Sequence, residues 1–188
     1  MFIQIEETPN PNTLKFLPGF AILNEGKTAD FANANEAKSS RLAMKLFCVE
    51  HIVRVFFGYD FISVTKSNEI DWDVLKVEIL TTIMDHLTSD GRAMNEEGIN
   101  DKLEKEFFDE SDVEIVNRIK ELMENYIKPA VAQDGGNIKF CGYKEGIVFV
   151  ELHGACSGCP SASITLKQGV QNMLSYHIPE VAGVETIS

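Results

Sequence analysis

An acidic interval divides the chain and limits what it can fold into. Between residues 93 and 111, seven acidic residues stand against two lysines, with few large apolar side chains among them. A segment of this composition is typical of a solvated linker, because it has little apolar surface to bury. We therefore predict an N-terminal domain over residues 1–92, an acidic linker over 93–111 and a C-terminal domain over 112–188. Three apolar side chains of the linker are large enough to dock locally: Leu103, Phe107 and Phe108.

The N-terminal domain has the pattern of a β-rich unit. Residues 2–17 alternate loosely around the sequence TPNPN, whose Pro and Asn residues favour a turn, so two strands joined by a turn are predicted. Apolar positions near a 3.6-residue period then predict a helix capped by Asn35. A hairpin with arms over 51–57 and 61–65 follows, and Asp71 precedes a second helix that ends near residue 90. We expect an α+β protein whose first domain is a β-rich α/β sandwich.

The C-terminal domain is predicted to have the order α-β-β-α-β. Its first helix starts after residue 111 or 112, and Pro129 within the helical pattern predicts a kink or an early stop. Strands over 138–143 and 147–152 form a pair, and a second helix leads to a last strand over 181–187. The alternation of the first strand places Cys141 on the same face as Lys139 and Tyr143.

Composition and charge exclude several classes of function. The 188-residue chain is 44% hydrophobic and 24% charged, which is ordinary for a globular protein, and no apolar run is long enough to span a bilayer. A net charge of −12 without a basic stripe disfavours nucleic-acid binding. The N-terminal residues resemble neither a secretory signal nor a transit peptide. We expect a protein of the bacterial cytoplasm, or of the mitochondrial matrix if it is a processed eukaryotic form.

Two of the four cysteines lie together in the sequence GACSGCPSA, residues 154–162. Four cysteines are too few for a disulfide framework, and a close pair in a reducing compartment is more often catalytic or metal-binding. Pro160 suits the first position of the following helix, so Cys156 and Cys159 should lie at a helix N-terminus. The unpaired N–H groups there favour an anion, which predicts a lowered pKa for both thiols. Thiolates ligate iron or zinc and also attack disulfides, so this geometry leaves both functions open.

The number of available ligands limits the metal site. Zinc prefers four ligands and an iron–sulfur cluster commonly takes four cysteines, whereas the loop supplies two. The others come either from Cys141 and His153 of the same chain or from the loop of a second copy. Cys141 is more simply explained as a semi-buried structural thiol, His153 as a residue that lines the loop, and Cys48 as part of the core.

The same residues resemble a known family. The run GNIKF, followed by VFVELHGACSGCPSASITLKQGVQNML and IPEVAGVE, is similar to the C-terminal domain of NifU-like (Nfu-type) iron–sulfur cluster proteins over most of residues 112–188. The opening MFIQIEETPNPNTLKFLPG resembles the N-terminal domain of mitochondrial and α-proteobacterial members over roughly residues 1–90. Both domains match in order, so the resemblance covers nearly the whole chain.

The resemblance implies a scaffold or carrier and not an enzyme. In such a protein Cys156 and Cys159 would bind a labile iron–sulfur cluster, usually [4Fe-4S] and alternatively [2Fe-2S]. The cluster would bridge two copies of the chain, which would receive it from a cluster donor and deliver it to apo iron–sulfur proteins. The family implies no ligand role for Cys141, Cys48 or His153.

Two alternatives use the same loop. A thiol–disulfide oxidoreductase would cycle Cys156 and Cys159 between dithiol and disulfide, although a lone C-x-x-C is a weak signal for this activity. A structural zinc site would take three cysteines and one histidine, namely Cys141, His153, Cys156 and Cys159.

Overall fold

The structure is a computed structural model that describes residues 2–90, 93–94, 106–157 and 160–187. The chain divides into two compact units, Met1–Asp101 and Lys102–Ser188. Both contain helices and a sheet, so the predicted α+β class is confirmed. Most of the predicted linker, residues 95–105, lies outside the described residues. None of the described helices is long and apolar enough to cross a membrane.

The first unit is an antiparallel sheet of five strands with two helices. The strands are β1 (Gln4–Glu7), β2 (Thr13–Leu17), β3 (Ala29–Phe31), β4 (Ile52–Phe57) and β5 (Ile62–Lys66), in the spatial order β1-β2-β5-β4-β3. The helices are α1 (Arg41–Phe47), preceded by a 3₁₀ turn over Glu36–Ser39, and α2 (Trp72–Asp90). One core joins both helices to the sheet, and Ala93 and Met94 are buried in it. Both predicted hairpins are present.

The start of α1 corrects the predicted helix cap. Asn35 makes no side-chain capping hydrogen bond, whereas the hydroxyl of Ser40 accepts one from the backbone N–H of Ala43 at 3.1 Å. The Ser40 hydroxyl also donates to the carbonyl of Ala93 at 2.9 Å. Ser40 thus starts the α-helix after the 3₁₀ turn, because it alone of the two residues has the extended backbone of an N-cap.

Cys48 corrects a second prediction, since it is exposed and not part of the core. The buried row of this segment is Leu42, Leu46 and Val49, at the spacing of one helical face. Cys48 follows the last residue of α1 and lies two positions beyond Leu46, which places it on the opposite side of the helix.

The second unit is a three-stranded sheet with helices packed on it. Helix α3 (Val113–Leu122) continues through a π-helical turn (Met123–Ile127) into α4 (Lys128–Gln133). Strands β6 (Gly136–Lys144) and β7 (Ile147–Gly154) are antiparallel. Helix α5 (Pro160–His177) then leads to β8 (Gly183–Thr186), which is parallel to β7. The predicted order α-β-β-α-β is therefore confirmed.

Pro129 does not stop the first helix of this unit. The π-helical turn lies directly before it, and the N–H of Lys128 donates to the carbonyl of Met123, five residues back. A widened turn accommodates a residue that lacks an N–H and would clash with the preceding turn, so the helix runs on to Gln133. The apolar spacing over residues 113–131 predicts one buried face for this helix that includes Val113 and Tyr126, but both are exposed.

A bulge in β6 corrects the predicted faces of that strand. Phe140 pairs with Val150 and Gly142 with Phe149, so Cys141 is the extra residue of the bulge. The bulge reverses the alternation beyond it, because a strand has a period of two. Tyr143 accordingly lies in the core with 4% exposure, and not on the face of Lys139.

The segment before α3 is held against the bulge. The N–H of Phe107 donates to the carbonyl of Cys141 at 3.1 Å, and the N–H of Tyr143 donates to the carbonyl of Phe107 at 2.9 Å. The ring of Phe107 lies 5.1 Å from that of Phe149, measured between centroids. A Cβ atom at Gly142 would lie 2.6 Å from the Phe107 ring, so this approach requires glycine. Phe107 therefore docks within the second unit.

Tyr143 should make the stability of the second unit sensitive to alkaline pH. Its hydroxyl donates to the carbonyl of Glu180 at 3.1 Å, and burial, assisted by Asp112 and Glu180, raises its pKa above the ordinary value of 10.0. As the pH rises above that value the unfolded chain loses the phenolic proton first, so the free energy of unfolding falls. Tyr143→Phe should lower the free energy of unfolding by about 1 kcal/mol at neutral pH, because one hydrogen bond is lost. It should also abolish the decrease in this free energy that the Tyr143 hydroxyl causes at alkaline pH.

Urea unfolding followed by the NMR amide signals of Val148 and Val150 measures this effect. The matched control is Tyr59→Phe, which changes an exposed tyrosine of the first unit. If the parent and the Tyr143→Phe chain lose stability in parallel from about pH 9 to about pH 11, Tyr143 is not responsible.

Candidate metal-binding site

The cysteine loop is placed by the pairing of two strands. Gly154, the last residue of β7, pairs with Gly136, the first residue of β6. Gly154 has φ 64°, which is the left-handed conformation that glycine adopts readily, and the chain turns there into the loop. The N–H of Ala155 then donates to the carbonyl of Gly135 at 3.2 Å. These contacts hold the start of the loop against the turn that follows α4.

Cys156 lies at the centre of this contact and is 4% exposed. It packs with the core residues of the second unit. A Cβ atom built on Gly136 would lie 2.6 Å from the Cys156 Sγ atom, 2.7 Å from the His153 carbonyl oxygen and 3.2 Å from the Cys156 backbone nitrogen. The space that a side chain would fill at Gly136 is thus taken by the cysteine loop.

The second cysteine of the motif, Cys159, lies outside the described residues, as does Gly158. Helix α5 begins at Pro160, which confirms the position predicted for this proline at a helix start. Of the two predicted thiols, the structure therefore describes only that of Cys156.

The pKa of Cys156 differs from the sequence-based prediction. We expected the helix N-terminus to lower it, whereas burial, assisted by the charge of Asp134, raises the pKa of Cys156 to about 12. Desolvation disfavours a charged sulfur, and the nearby carboxylate adds repulsion, so the neutral thiol is favoured in the metal-free chain. The correction arises because the sulfur lies inside the core and not in an open turn.

Cys141, His153 and Cys156 do not form a common set of metal ligands in the structure. Among the described residues, which include all three, no group of three His, Cys, Asp or Glu side chains is placed to hold a metal ion. Cys141 is 8% exposed in the β6 bulge, and its Sγ atom donates to the carbonyl of Lys139 at 3.7 Å. The His153 Nε2 atom lies 3.5 Å from Glu151 Oε2. This arrangement contradicts the zinc alternative, which requires the three residues together.

Two residues of the site were missed by the sequence reasoning. Gly136 contacts the cysteine sulfur, and Asp134 contributes to its raised pKa. The sequence Asp134-Gly135-Gly136-Asn137 is typical of the end of a helix, and the structure confirms that α4 ends at Gln133. The available signal was the pair of glycines, because a single glycine is enough to end a helix. The sequence alone, however, does not show which residue the second glycine contacts in the folded chain.

Burial should protect Cys156 from alkylation in the metal-free chain. With iodoacetamide near pH 8, we expect Cys156 to react at least about ten times more slowly than the exposed Cys48, because its sulfur is both shielded and held neutral. Peptide mass spectrometry after timed alkylation measures each cysteine separately. In a denaturant the two rates should converge, and equal rates in the folded chain would contradict the burial of Cys156.

Comparison with known proteins covers both units. A family model described as "Scaffold protein Nfu/NifU N terminal" matches residues 3–90, and one described as "NifU-like domain" matches residues 119–185. The solution NMR structure of a NifU-like protein from Saccharomyces cerevisiae is 24% identical, with a TM-score of 0.48 over 51% of this chain and 86% of that chain.

Curated relatives match along the whole chain. The NFU1 iron-sulfur cluster scaffold homolog, mitochondrial, of Drosophila sechellia is 47% identical over 100% of this chain and 65% of its own length. NifU-like protein 4, mitochondrial, of Arabidopsis thaliana is 46% identical over 98% of this chain and 65% of its own length. The Homo sapiens NFU1 homolog is 48% identical over 100% of this chain and 72% of its own length. The chain thus spans 65% of the length of the first two relatives.

The fold and the matches together define a two-domain α+β protein with a C-terminal NifU-like domain that carries a two-cysteine loop. The chain belongs to the Nfu family, with an Nfu-type N-terminal domain followed by the NifU-like domain.

Proposed function

We propose that this chain is an iron–sulfur cluster scaffold and carrier and not an enzyme. The observation that carries the proposal is the buried thiol of Cys156, in the loop before α5 of a chain whose relatives are named iron–sulfur cluster scaffolds. Cys156 and Cys159 of two copies would supply the four thiolates of one labile [4Fe-4S] cluster. The chain would receive this cargo from a cluster donor and deliver it to apo iron–sulfur proteins.

The ligand count supports a shared site. The motif holds two cysteines, and in the described part of the chain Cys141 and His153 form no three-residue group of metal ligands with Cys156. One copy therefore offers two thiolates, so a four-cysteine site needs a second copy. A [2Fe-2S] cluster bound by the same four residues is the alternative cargo. Of the two expected locations, the names of the relatives favour the mitochondrial matrix over the bacterial cytoplasm.

The oxidoreductase alternative has less support. A nucleophilic thiol needs a substantial thiolate fraction and access to a disulfide substrate. Burial raises the pKa of Cys156 and limits access to its sulfur, which opposes both requirements in the chain without cargo.

Anaerobic reconstitution with iron and sulfide tests the proposal. We expect about two irons per chain, a [4Fe-4S] Mössbauer signature and a dimer by light scattering, because two copies would share four irons. Cys156→Ser and Cys159→Ser should each remove cluster binding, since either change deletes two of the four shared ligands. The matched control, Cys48→Ser, changes an exposed cysteine of the other unit and should load like the parent.

Transfer of the cluster is measured by activation of an apo-enzyme that requires [4Fe-4S]. A Cys159→Ser chain that keeps a full cluster would contradict the ligand assignment. A colourless monomer that reduces insulin through Cys156 and Cys159 would support the oxidoreductase instead.

A further inference from the structure

A side chain at position 136 is prevented by the lack of space around the α-carbon and not by the backbone conformation. Its φ lies outside the left-handed region, in contrast to Gly135 and Gly154 on either side of the contact. The atom closest to its missing Cβ position is the Cys156 Sγ atom, at 2.6 Å. Ordinary van der Waals contact begins near 3.4 Å, so an added methyl group would have to displace the sulfur or the loop.

The surrounding contacts restrict how such a clash could be relieved. The other two neighbours of the missing Cβ atom are backbone atoms, the His153 carbonyl oxygen at 2.7 Å and the Cys156 nitrogen at 3.2 Å. Both belong to a backbone that is held by the Gly136–Gly154 pair and by the hydrogen bond from Ala155 to Gly135. The far side of Cys156 packs on the core. The sulfur therefore has a fixed position between the core and the α-carbon of Gly136.

We propose that Gly136 is a positioning residue for Cys156, which sets where this sulfur meets the iron of the cargo. The role rests on the proposed function, in which Cys156 is a ligand. Residues that support a metal ligand without touching the metal typically change affinity by about 10- to 100-fold when they are replaced. Gly136→Ala should push the Cys156 sulfur out of its place by roughly 1 Å, well beyond the tolerance of about 0.5 Å of a preorganised site.

The first test uses the full chain without cargo. In Gly136→Ala we expect iodoacetamide to alkylate Cys156 about tenfold faster than in the parent, because the sulfur leaves its buried position. Cys141 of the same chain should keep its rate and serves as an internal reference. The matched control is Gly169→Ala in α5, where a Cβ atom would meet nothing within 4 Å, and it should leave both rates unchanged.

The second test uses the cluster-loaded chain. After reconstitution, Gly136→Ala should lose its iron to a chelator at least about tenfold faster than the parent and give an altered Mössbauer spectrum, whereas Gly169→Ala should match the parent. If Gly136→Ala has the alkylation rate, the chelation rate and the spectrum of the parent, Gly136 does not position Cys156. If the parent takes up no cluster, the proposed function fails, and the alkylation rates still decide the contact between Gly136 and Cys156.

A double replacement covers the case in which Gly136→Ala fails to fold. Cys156→Ala removes the sulfur and keeps the rest of the loop, so Gly136→Ala should be tolerated better in the Cys156→Ala chain than in the parent. Thermal unfolding measures this as a loss of Tm that is smaller by about 4–8 °C in the Cys156→Ala chain. If Gly136→Ala lowers Tm equally in the parent and in the Cys156→Ala chain, the glycine is needed only because a Cβ atom would clash with backbone atoms. That result would overturn the proposal.

Discussion

The approach of β6 to the cysteine loop is the contact on which the candidate site depends. Gly136 pairs with Gly154 at the point where one strand begins and the other ends. Two glycines facing each other bring the turn after α4 and the start of the loop closer than any pair with side chains would allow. Cys156 follows two residues later, so the end of the first helix and the cysteine loop become parts of one structure. The helix that precedes the sheet therefore shapes the site without supplying a ligand.

Burial of Cys156 has a consequence for the proposed function, in which the chain exists with and without cargo. An exposed thiolate in a chain without cargo would be open to oxidation and to disulfide exchange. In this structure the sulfur is packed with the core and held neutral, so the chain without cargo shelters it. The same packing opposes the permanent thiolate that a dithiol enzyme needs. Shelter of the thiol thus favours a carrier over an oxidoreductase.

Local patterns in the sequence predicted the elements, and contacts between distant segments decided the details. Alternation of apolar residues was enough to predict β6 and β7, and Pro160 was enough to predict the start of α5. The bulge at Cys141 has no local signature, yet it moves Tyr143 to the opposite face. The role of Gly136 and the raised pKa of Cys156 were likewise hidden, because both depend on what the folded chain places beside them.

The register of β6 on β7 links the site to a turn at the far end of the hairpin. Glu145 and Gly146 both have positive φ, 50° and 81°, as a tight two-residue hairpin turn requires. Because such a turn fixes which residues pair, it sets the register along both strands, and the bulge at Cys141 shifts that register by one residue. Without the bulge, the register set by the turn would pair Cys141 and not Phe140 with Val150, and Asn137 and not Gly136 would lie opposite Gly154. A side chain would then occupy the place of the Cys156 sulfur. The structural role of Cys141 is therefore to be the extra residue that brings Gly136, and not Asn137, to the close contact with Cys156.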